Sequence, residues 1–163
     1  MAGKRVRLAG GALAAAVALA ACGDGGRPAL VDDSTRDASG RIVDAGQVGV
    51  LQLRPGDCFV SGADAIEYVA AVPCEDAHDS EVFAVFDLDD AAWPGTAAVE
   101  DAARIGCLER FEAATGFALD SGITELTAYA PTHASWTDDR SVICVAITPD
   151  GGLVHGALTR PTA

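Results

Sequence analysis

A cysteine, a histidine and several carboxylates lie close together in "AVPCEDAHDSEVFAVF", residues 71–86, between two runs with the composition of β-strands. Zinc takes its ligands from these side-chain types, but Cys74 and His78 would need two further ligands, such as His133 or a carboxylate. Zinc would also require Cys74 to remain a thiolate, which is not expected outside the cytoplasm. We therefore favour a disulfide for Cys74, and we predict no resident metal and no cofactor.

Catalysis is the second chemistry that this stretch suggests, because His78, Asp79 and Ser80 are the residue types of a hydrolase triad. The chain has no G-x-S-x-G elbow, however, and successive residues of a strand point to opposite faces of a sheet. We predict no catalytic residue. A cell-wall hydrolase or another envelope enzyme is the alternative to a binding function.

The amino terminus has the organisation of an export signal. Three basic residues among the first seven precede an apolar run, "LAGGALAAAVALAA", at 8–21. These 14 residues are too few for a permanent helix across a bilayer, which needs about 20. The run ends in Leu19-Ala20-Ala21-Cys22, which resembles a bacterial lipobox. We predict a lipoprotein signal peptide at 1–21 and lipid attachment at Cys22; an ordinary secretory signal with a chance cysteine is the alternative.

The segment that follows, residues 22–47, is rich in Gly, Asp, Ser and Arg and has no sustained apolar period. Such a composition buries too little surface to offset the entropy of ordering it, so we predict a lipidated flexible stalk. Two acyl chains hold a protein on a bilayer almost permanently. The predicted location is the cell membrane, with the chain lipid-anchored on the outer, extracytoplasmic face through Cys22.

The charge of the chain limits its partners. The 11 basic and 24 acidic residues give a net charge of −13, and removing three basic residues with the signal leaves 8 − 24 = −16. Binding to nucleic acid needs a basic patch, which this composition does not provide. We therefore predict no nucleic-acid partner.

Four cysteines remain beyond Cys22, and an even number in an exported chain predicts disulfides. Cys58 and Cys74 lie in two short β-like runs separated by one polar turn. Cys107 lies in a helical stretch, and Cys144 lies in the apolar strand "SVICVAI". We therefore predict the pairs Cys58–Cys74 and Cys107–Cys144.

One long helix is predicted in "PGTAAVEDAARIGCLERFEAATG", at 94–116, where apolar residues recur at i, i+4 spacing. Cys107 lies in this row and should face the core. Thr96 is the predicted N-cap and Gly116 the predicted end of the helix.

Strands are predicted at 48–53, 67–72, 80–88, 124–131 and 152–158, together with a strand around Cys144 that is apolar on both faces and therefore central. One helix among these strands predicts an α+β fold: a small single domain at 48–160 with an antiparallel sheet, one main helix and two disulfides.

The same residues resemble a known family, the septum formation domain of actinobacterial membrane proteins and lipoproteins, over roughly residues 48–148. The matching motifs are Gly56-Asp57-Cys58-Phe59, Pro73-Cys74, His78-Asp79, Glu81-Val82, Trp136, Arg140 and Cys144. The chain departs from the pattern at Ala77, where a proline is common, and at Asp138, which occupies a glycine position. The resemblance implies a link to cell division and no particular biochemical activity.

The motifs that carry the resemblance include polar residues close to the predicted Cys58–Cys74 disulfide. They also include a tryptophan and an arginine from further along the chain. Tryptophan and arginine are enriched at interaction hot spots. We predict a non-catalytic binding module for an envelope protein or a cell-wall component, with a candidate recognition surface of His78, Asp79, Glu81, Trp136 and Arg140. In the alternative, His78 and Asp79 fix the turn after Cys74, and Arg140 pairs with Glu81 or Asp139.

Overall fold

The computed structural model describes residues 31–62, 67–89, 92–116, 118 and 124–159. The predicted signal peptide and Cys22 lie outside these residues. Within the described ranges no helix is both long enough and apolar enough to cross a membrane.

The described residues contain one long helix and eight strands, of which only the sixth and the eighth are longer than five residues. In chain order they are β1 (Thr35–Arg36), β2 (Ile42–Asp44), β3 (Gly46–Gly49), β4 (Cys58–Val60), β5 (Tyr68–Val72), β6 (Ser80–Asp87), α1 (Thr96–Thr115), β7 (Glu125–Tyr129) and β8 (Ser141–Ile147). Two short 3-10 helices span Val50–Gln52 and Pro149–Gly151.

Six of these strands form one antiparallel sheet in the order β3-β5-β4-β6-β8-β7, while β1 and β2 form a separate hairpin. The strand β8 lies between β6 and β7, and all its residues except the first and the last are buried. The strand was predicted to be central; it has a neighbour on each side, but it lies next to the edge strand β7 rather than at the centre of the sheet.

The two faces of the sheet bury different partners. On β8, Cys144 and its alternate neighbours pack with Cys107 and Phe111 of α1. Ile143 and Val145 point to the other face and pack with Phe59 and the amino-terminal residues. A helix on one face of an antiparallel sheet is the predicted α+β fold, and the structure confirms it.

Both predicted disulfides are present. Cys58 is bonded to Cys74, and Cys107 is bonded to Cys144. The second bond joins the helix to β8, so it fixes the helix against the sheet face that the apolar row covers. The helix ends at Gly116 as predicted, with φ +71° and its N–H donating to the Glu112 carbonyl.

The prediction of a flexible stalk through Gln47 is wrong for residues 31–47. The stretch "DASGR" at 37–41 forms the turn between β1 and β2, with Gly40 at φ +88°. The Asp37 carboxylate accepts hydrogen bonds from the Ser39 and Arg41 amides at 2.8 and 3.0 Å. Ile42 then packs into the core on the sheet face away from α1, because that face would otherwise remain open to water.

An ion pair fastens this amino-terminal segment to the domain. The Arg36 guanidinium donates to both carboxylate oxygens of Asp57, at 2.6 and 2.9 Å, and the Asp57 side chain is 2% exposed. The Arg54 amide also donates to Asp57. The hydrogen bond to Asp57 is the largest cause that raises the pKa of Arg36 above its ordinary value.

Three smaller predictions also need correction. The strand predicted at 48–53 ends at Gly49, where a 3-10 helix begins. The segment 152–158 is not a strand and contributes one β-bridge, between Val154 and His78, because turns at Gly151 and Gly156 interrupt it. Thr96 is the first helical residue, and the N-cap is Gly95.

Candidate functional site

The first candidate site lies where β4 and β6 begin, beside the Cys58–Cys74 disulfide; we call it the polar end and define it as Asp57, His78, Asp79 and Glu81. The strands place Glu81 directly opposite Cys58 in the ladder. All four polar-end side chains are at most 7% exposed.

His78 is completely buried. Its backbone exchanges two hydrogen bonds with Val154, at 3.0 and 2.8 Å. Its ring Nδ1 donates to the Asp76 carbonyl at 2.9 Å, since a carbonyl can only accept. The other ring nitrogen, Nε2, is buried and has no hydrogen-bond partner among the residues described.

The two carboxylates of this end are hydrogen-bonded to backbone and hydroxyl donors. Asp79 accepts from the Ser61 amide and hydroxyl, both at 2.8 Å, and from the Ser80 hydroxyl at 2.7 Å. Glu81 accepts from the Thr159 amide at 2.9 Å and from the Thr159 hydroxyl. These bonds fasten the beginning of β6 to the end of β4 and to the carboxyl-terminal segment.

A hollow of about 380 Å³ adjoins Asp79 on the sheet face away from α1. Glu125, Thr127 and Asp150 are among the residues that line it. Burial and then the negative charge of Asp79 raise the pKa of Tyr129. The Asp79 carboxylate, the most buried acidic group that lines this hollow, already accepts three hydrogen bonds from Ser61 and Ser80. These bonds fix Asp79 within the domain.

The second candidate site lies at the other end of the same strands; we call it the aromatic end and define it as Trp93, His133, Trp136 and Arg140. The Trp93 ring meets Trp136 edge to face, with ring centroids 5.1 Å apart, and meets His133 at 5.5 Å. The Arg140 guanidinium carbon lies 5.6 Å from the Trp136 centroid. These four side chains form one contiguous aromatic and cationic group.

Exposure differs within the aromatic end. Trp136 is 5% exposed, Trp93 and Arg140 are half-buried, and His133 is exposed. In the described part of the chain, the buried indole N–H of Trp136 and the buried Oδ2 of nearby Asp139 have no hydrogen-bond partner. A buried donor without a partner costs free energy, so a ligand or water that reaches it gains a favourable bond.

The two ends are far apart. Along the ladder between β6 and β8, Ser80 pairs with Ile147 and Asp87 pairs with Ser141. The polar end adjoins the first of these pairs and the aromatic end adjoins the second, so roughly 20 Å of strand separates them.

The comparisons with known proteins identify the family. A sequence model described as Septum formation matches residues 27–144, which is more than half of the chain. The chain belongs to the septum formation family. No curated protein and no solved structure matches it significantly.

The family match begins at residue 27, well before the predicted domain boundary at residue 48. This agrees with the structure, in which β1, β2 and Arg36 are parts of the septum formation domain rather than a linker. The family description also gives this chain a role linked to septum formation.

The five predicted recognition residues do not share one surface of the septum formation domain. His78, Asp79 and Glu81 lie together, whereas Trp136 and Arg140 lie at the opposite end. Only Arg140 is not buried.

The structural alternative is supported for His78 and Asp79, whose hydrogen bonds fix the segment after Cys74. The ion pair that this alternative predicts for Arg140 is wrong. In the described structure Arg140 forms no salt bridge with Glu81 or Asp139, and its Nε donates to the Trp136 carbonyl at 3.4 Å.

Sequence reasoning missed Trp93 as a site residue and gave His133 only a possible role as a metal ligand. One signal was available in the sequence, which contains only two tryptophans, Trp93 and Trp136. The structure shows that their rings contact each other. It also missed Ser61 and Thr159, the donors to Asp79 and Glu81. Single hydroxyl residues in polar segments carry no pattern that would mark them.

Proposed function

We propose that this chain is a membrane-anchored extracytoplasmic lipoprotein whose septum formation domain is a non-catalytic binding module. The partner is an envelope protein or a cell-wall component, and the family membership links this binding to septum formation. The proposed recognition surface is the aromatic end rather than the five residues that the sequence suggested.

One observation carries this proposal: at the aromatic end, a buried tryptophan supports side chains that a partner can reach. Trp136 is anchored in the domain, while Trp93, His133 and Arg140 surround it with exposed or partly exposed atoms. Rigid aromatic side chains with an adjacent arginine are typical of residues that contribute most of the free energy of binding.

A non-catalytic function is supported by the bonding at the polar end. In a hydrolase triad the hydroxyl nucleophile is bonded to the imidazole that activates it. Here the Ser80 hydroxyl donates to Asp79, and both residues are buried. The hydrolase-type residues of the sequence are therefore engaged in fixing the strand ends.

Anchoring rests on the lipobox and agrees with the two disulfides, which are typical of exported proteins. The test compares the chain with its Cys22→Ser variant by detergent partitioning and intact mass. The expected result is a lipid-modified, membrane-bound chain whose modification is lost in the variant. A variant that still carries the lipid would show that Cys22 is not the attachment site.

Binding at the aromatic end is tested by photo-cross-linking on intact cells, with a photoreactive residue in place of His133. The matched control places the same residue at Ile105, an exposed position on the helix that is 47% accessible. The expected result is a discrete adduct from position 133 that position 105 does not give. Equal adducts from both positions would contradict a specific surface at the aromatic end.

A further inference from the structure

Three potential metal ligands converge at the polar end. The Cys58 sulfur, a ring nitrogen of His78 and a carboxylate oxygen of Glu81 lie within 4.8 Å of one another, and all three side chains are buried. In the oxidised chain this group cannot bind a metal through Cys58, because that sulfur is bonded to Cys74.

The orientation of His78 suits metal binding. Its Nδ1–H donates to the Asp76 carbonyl, which leaves the lone pair of the neutral ring on Nε2. Metal-binding histidines in proteins are held in the same way, by a hydrogen bond from the nitrogen that does not bind the metal. Nε2 is completely buried and has no partner in the described structure, so its lone pair is available.

Glu81 supplies a buried negative charge. The Thr159 amide and hydroxyl donate to it, but within the described ranges no basic side chain forms a salt bridge with it. A buried carboxylate normally has a compensating cation or a metal, since removing its charge from water is costly. A divalent cation between Glu81 and His78 would provide that compensation.

We propose that reduction of the Cys58–Cys74 disulfide converts the polar end into a zinc site, with Cys58, Cys74, His78 and Glu81 as the four ligands. A dithiol reductant supplies two electrons and two protons and becomes a disulfide itself, and the S–S bond is replaced by two thiols. Zinc then displaces the two thiol protons and binds two thiolates, one neutral imidazole and one carboxylate. This inference goes beyond the proposed binding function and does not depend on it.

Forming the site requires the ligands to move. The ligand atoms of a tetrahedral zinc ion lie about 3.3 to 3.8 Å apart, so the group of Cys58, His78 and Glu81 would have to contract by roughly 1 Å. The Cys74 sulfur lies outside that group, and after reduction of the S–S bond the two sulfurs would have to separate to a similar distance. Cys74 is half-buried and lies in the turn before His78, which gives the ion a route from solvent. The disulfide and the zinc ion would thus be two alternative ways of closing the same end of the domain.

The test uses the full chain, first oxidised and then reduced with a phosphine that binds zinc weakly. Zinc per chain is measured after removal of excess metal, and cobalt(II) replaces zinc to report thiolate coordination by its absorption spectrum. We expect no stoichiometric zinc in the oxidised chain and one zinc per chain after reduction. Reduced chain without zinc, or without a tetrahedral cobalt–thiolate spectrum, would overturn the proposal.

Substitutions assign the ligands. His78→Gln and Glu81→Gln should each lower the zinc affinity of the reduced chain. The loss should exceed the roughly 10- to 100-fold that is typical when a residue hydrogen-bonded to a metal ligand, rather than the ligand itself, is substituted. His133→Gln, at the aromatic end, should bind zinc like the unsubstituted chain. Unchanged zinc binding in His78→Gln would overturn the assignment.

Folding is controlled separately, because buried positions are substituted. Each oxidised variant must show a cooperative thermal transition before it is reduced. If the reduced unsubstituted chain loses this transition, added zinc should restore it, and failure to restore it would also count against the site.

Discussion

The polar end and the aromatic end lie at opposite ends of β6 and β8, and both contain residues that match the family pattern, yet they differ in how their polar groups are bonded. At the polar end, Asp57 and Asp79 have multiple hydrogen-bond donors inside the domain. At the aromatic end, Trp93, His133 and Arg140 retain exposed area, whereas the polar-end side chains are buried. Buried carboxylates that are bonded within the domain stabilise a fold, whereas exposed side chains remain available for a partner.

One of the two largest effects on stability should come from the ion pair that fastens the amino-terminal hairpin. Arg36→Ala leaves Asp57 as an unpaired buried carboxylate, and we expect a loss of about 3 to 5 kcal/mol in the free energy of unfolding. The control is Arg41→Ala, which breaks a pair with Glu75 whose two side chains are 62% and 73% exposed. It should cost less than about 1 kcal/mol. Urea denaturation of both variants measures the difference, and equal losses would mean that the hairpin is not held by this pair.

A somewhat smaller loss is expected within the polar end. Asp79→Ala removes a buried carboxylate that accepts three hydrogen bonds, and we expect a loss of about 2 to 3 kcal/mol. Asp138→Ala is the control, because this carboxylate is exposed at the aromatic end. Its effect should stay within about 0.5 kcal/mol. Thermal melts that rank the two variants in the opposite order would break the distinction between the ends.

Little loss is expected from the reachable residues of the aromatic end. Arg140→Ala removes one cation–π contact and a long hydrogen bond, and we expect a change below about 1 kcal/mol. Trp136→Ala should cost roughly 3 to 5 kcal/mol, since that ring is buried. Losses above about 10 °C in the melting temperature of both variants would remove the binding-surface proposal, because Arg140 would then be structural.

The smallest predicted effect is a local response of the amino-terminal hairpin to acid. Burial by itself would raise the pKa of Asp32, but hydrogen bonds from Ser34 and Arg36 outweigh it and leave the pKa below the ordinary 3.8. The hydrogen bond from the Ser39 hydroxyl, followed by that from the Arg41 amide, lowers the pKa of Asp37. Because both folded pKa values are lowered, the stabilisation is present above pH 3.8 and is lost as the pH falls through the folded values.

Amide hydrogen exchange measures this response. The Arg41 amide, which donates to Asp37, should lose protection as the pH falls from about 5 to about 2, after correction for the intrinsic exchange rate. The Val145 amide in β8, a strand with a neighbour on each side, is the control and should keep its protection. Equal behaviour of the two amides would show that the carboxylates do not hold the hairpin.

The core of the fold was predictable because it depends on periodicity and cysteine count. The apolar row through Cys107 and the strand around Cys144, apolar on both faces, indicated a helix on a sheet, and the spacing of the other two cysteines indicated the Cys58–Cys74 disulfide. These signals are local, and the structure confirms them.

The amino-terminal hairpin and the division of the site were not predictable in the same way. Residues 31–47 have the composition of a linker, and they are ordered by one ion pair to Asp57 and by the packing of Ile42, which are long-range contacts. The sequence brought Trp136 and His78 into one predicted surface because the family pattern contains both. The pairing of β6 with β8 shows that His78 and Trp136 lie at opposite ends of these two strands.

The central claim is that the reachable side chains of the aromatic end recognise a partner. Its most direct test is the yield of the cross-linked adduct on intact cells from a chain with the photoreactive residue at position 133, with and without Arg140→Ala. We predict that Arg140→Ala lowers the adduct yield roughly tenfold, as expected for the loss of about 1.4 kcal/mol of binding free energy, and leaves the melting temperature nearly unchanged. An undiminished adduct in the folded Arg140→Ala chain would contradict the assignment of recognition to this end.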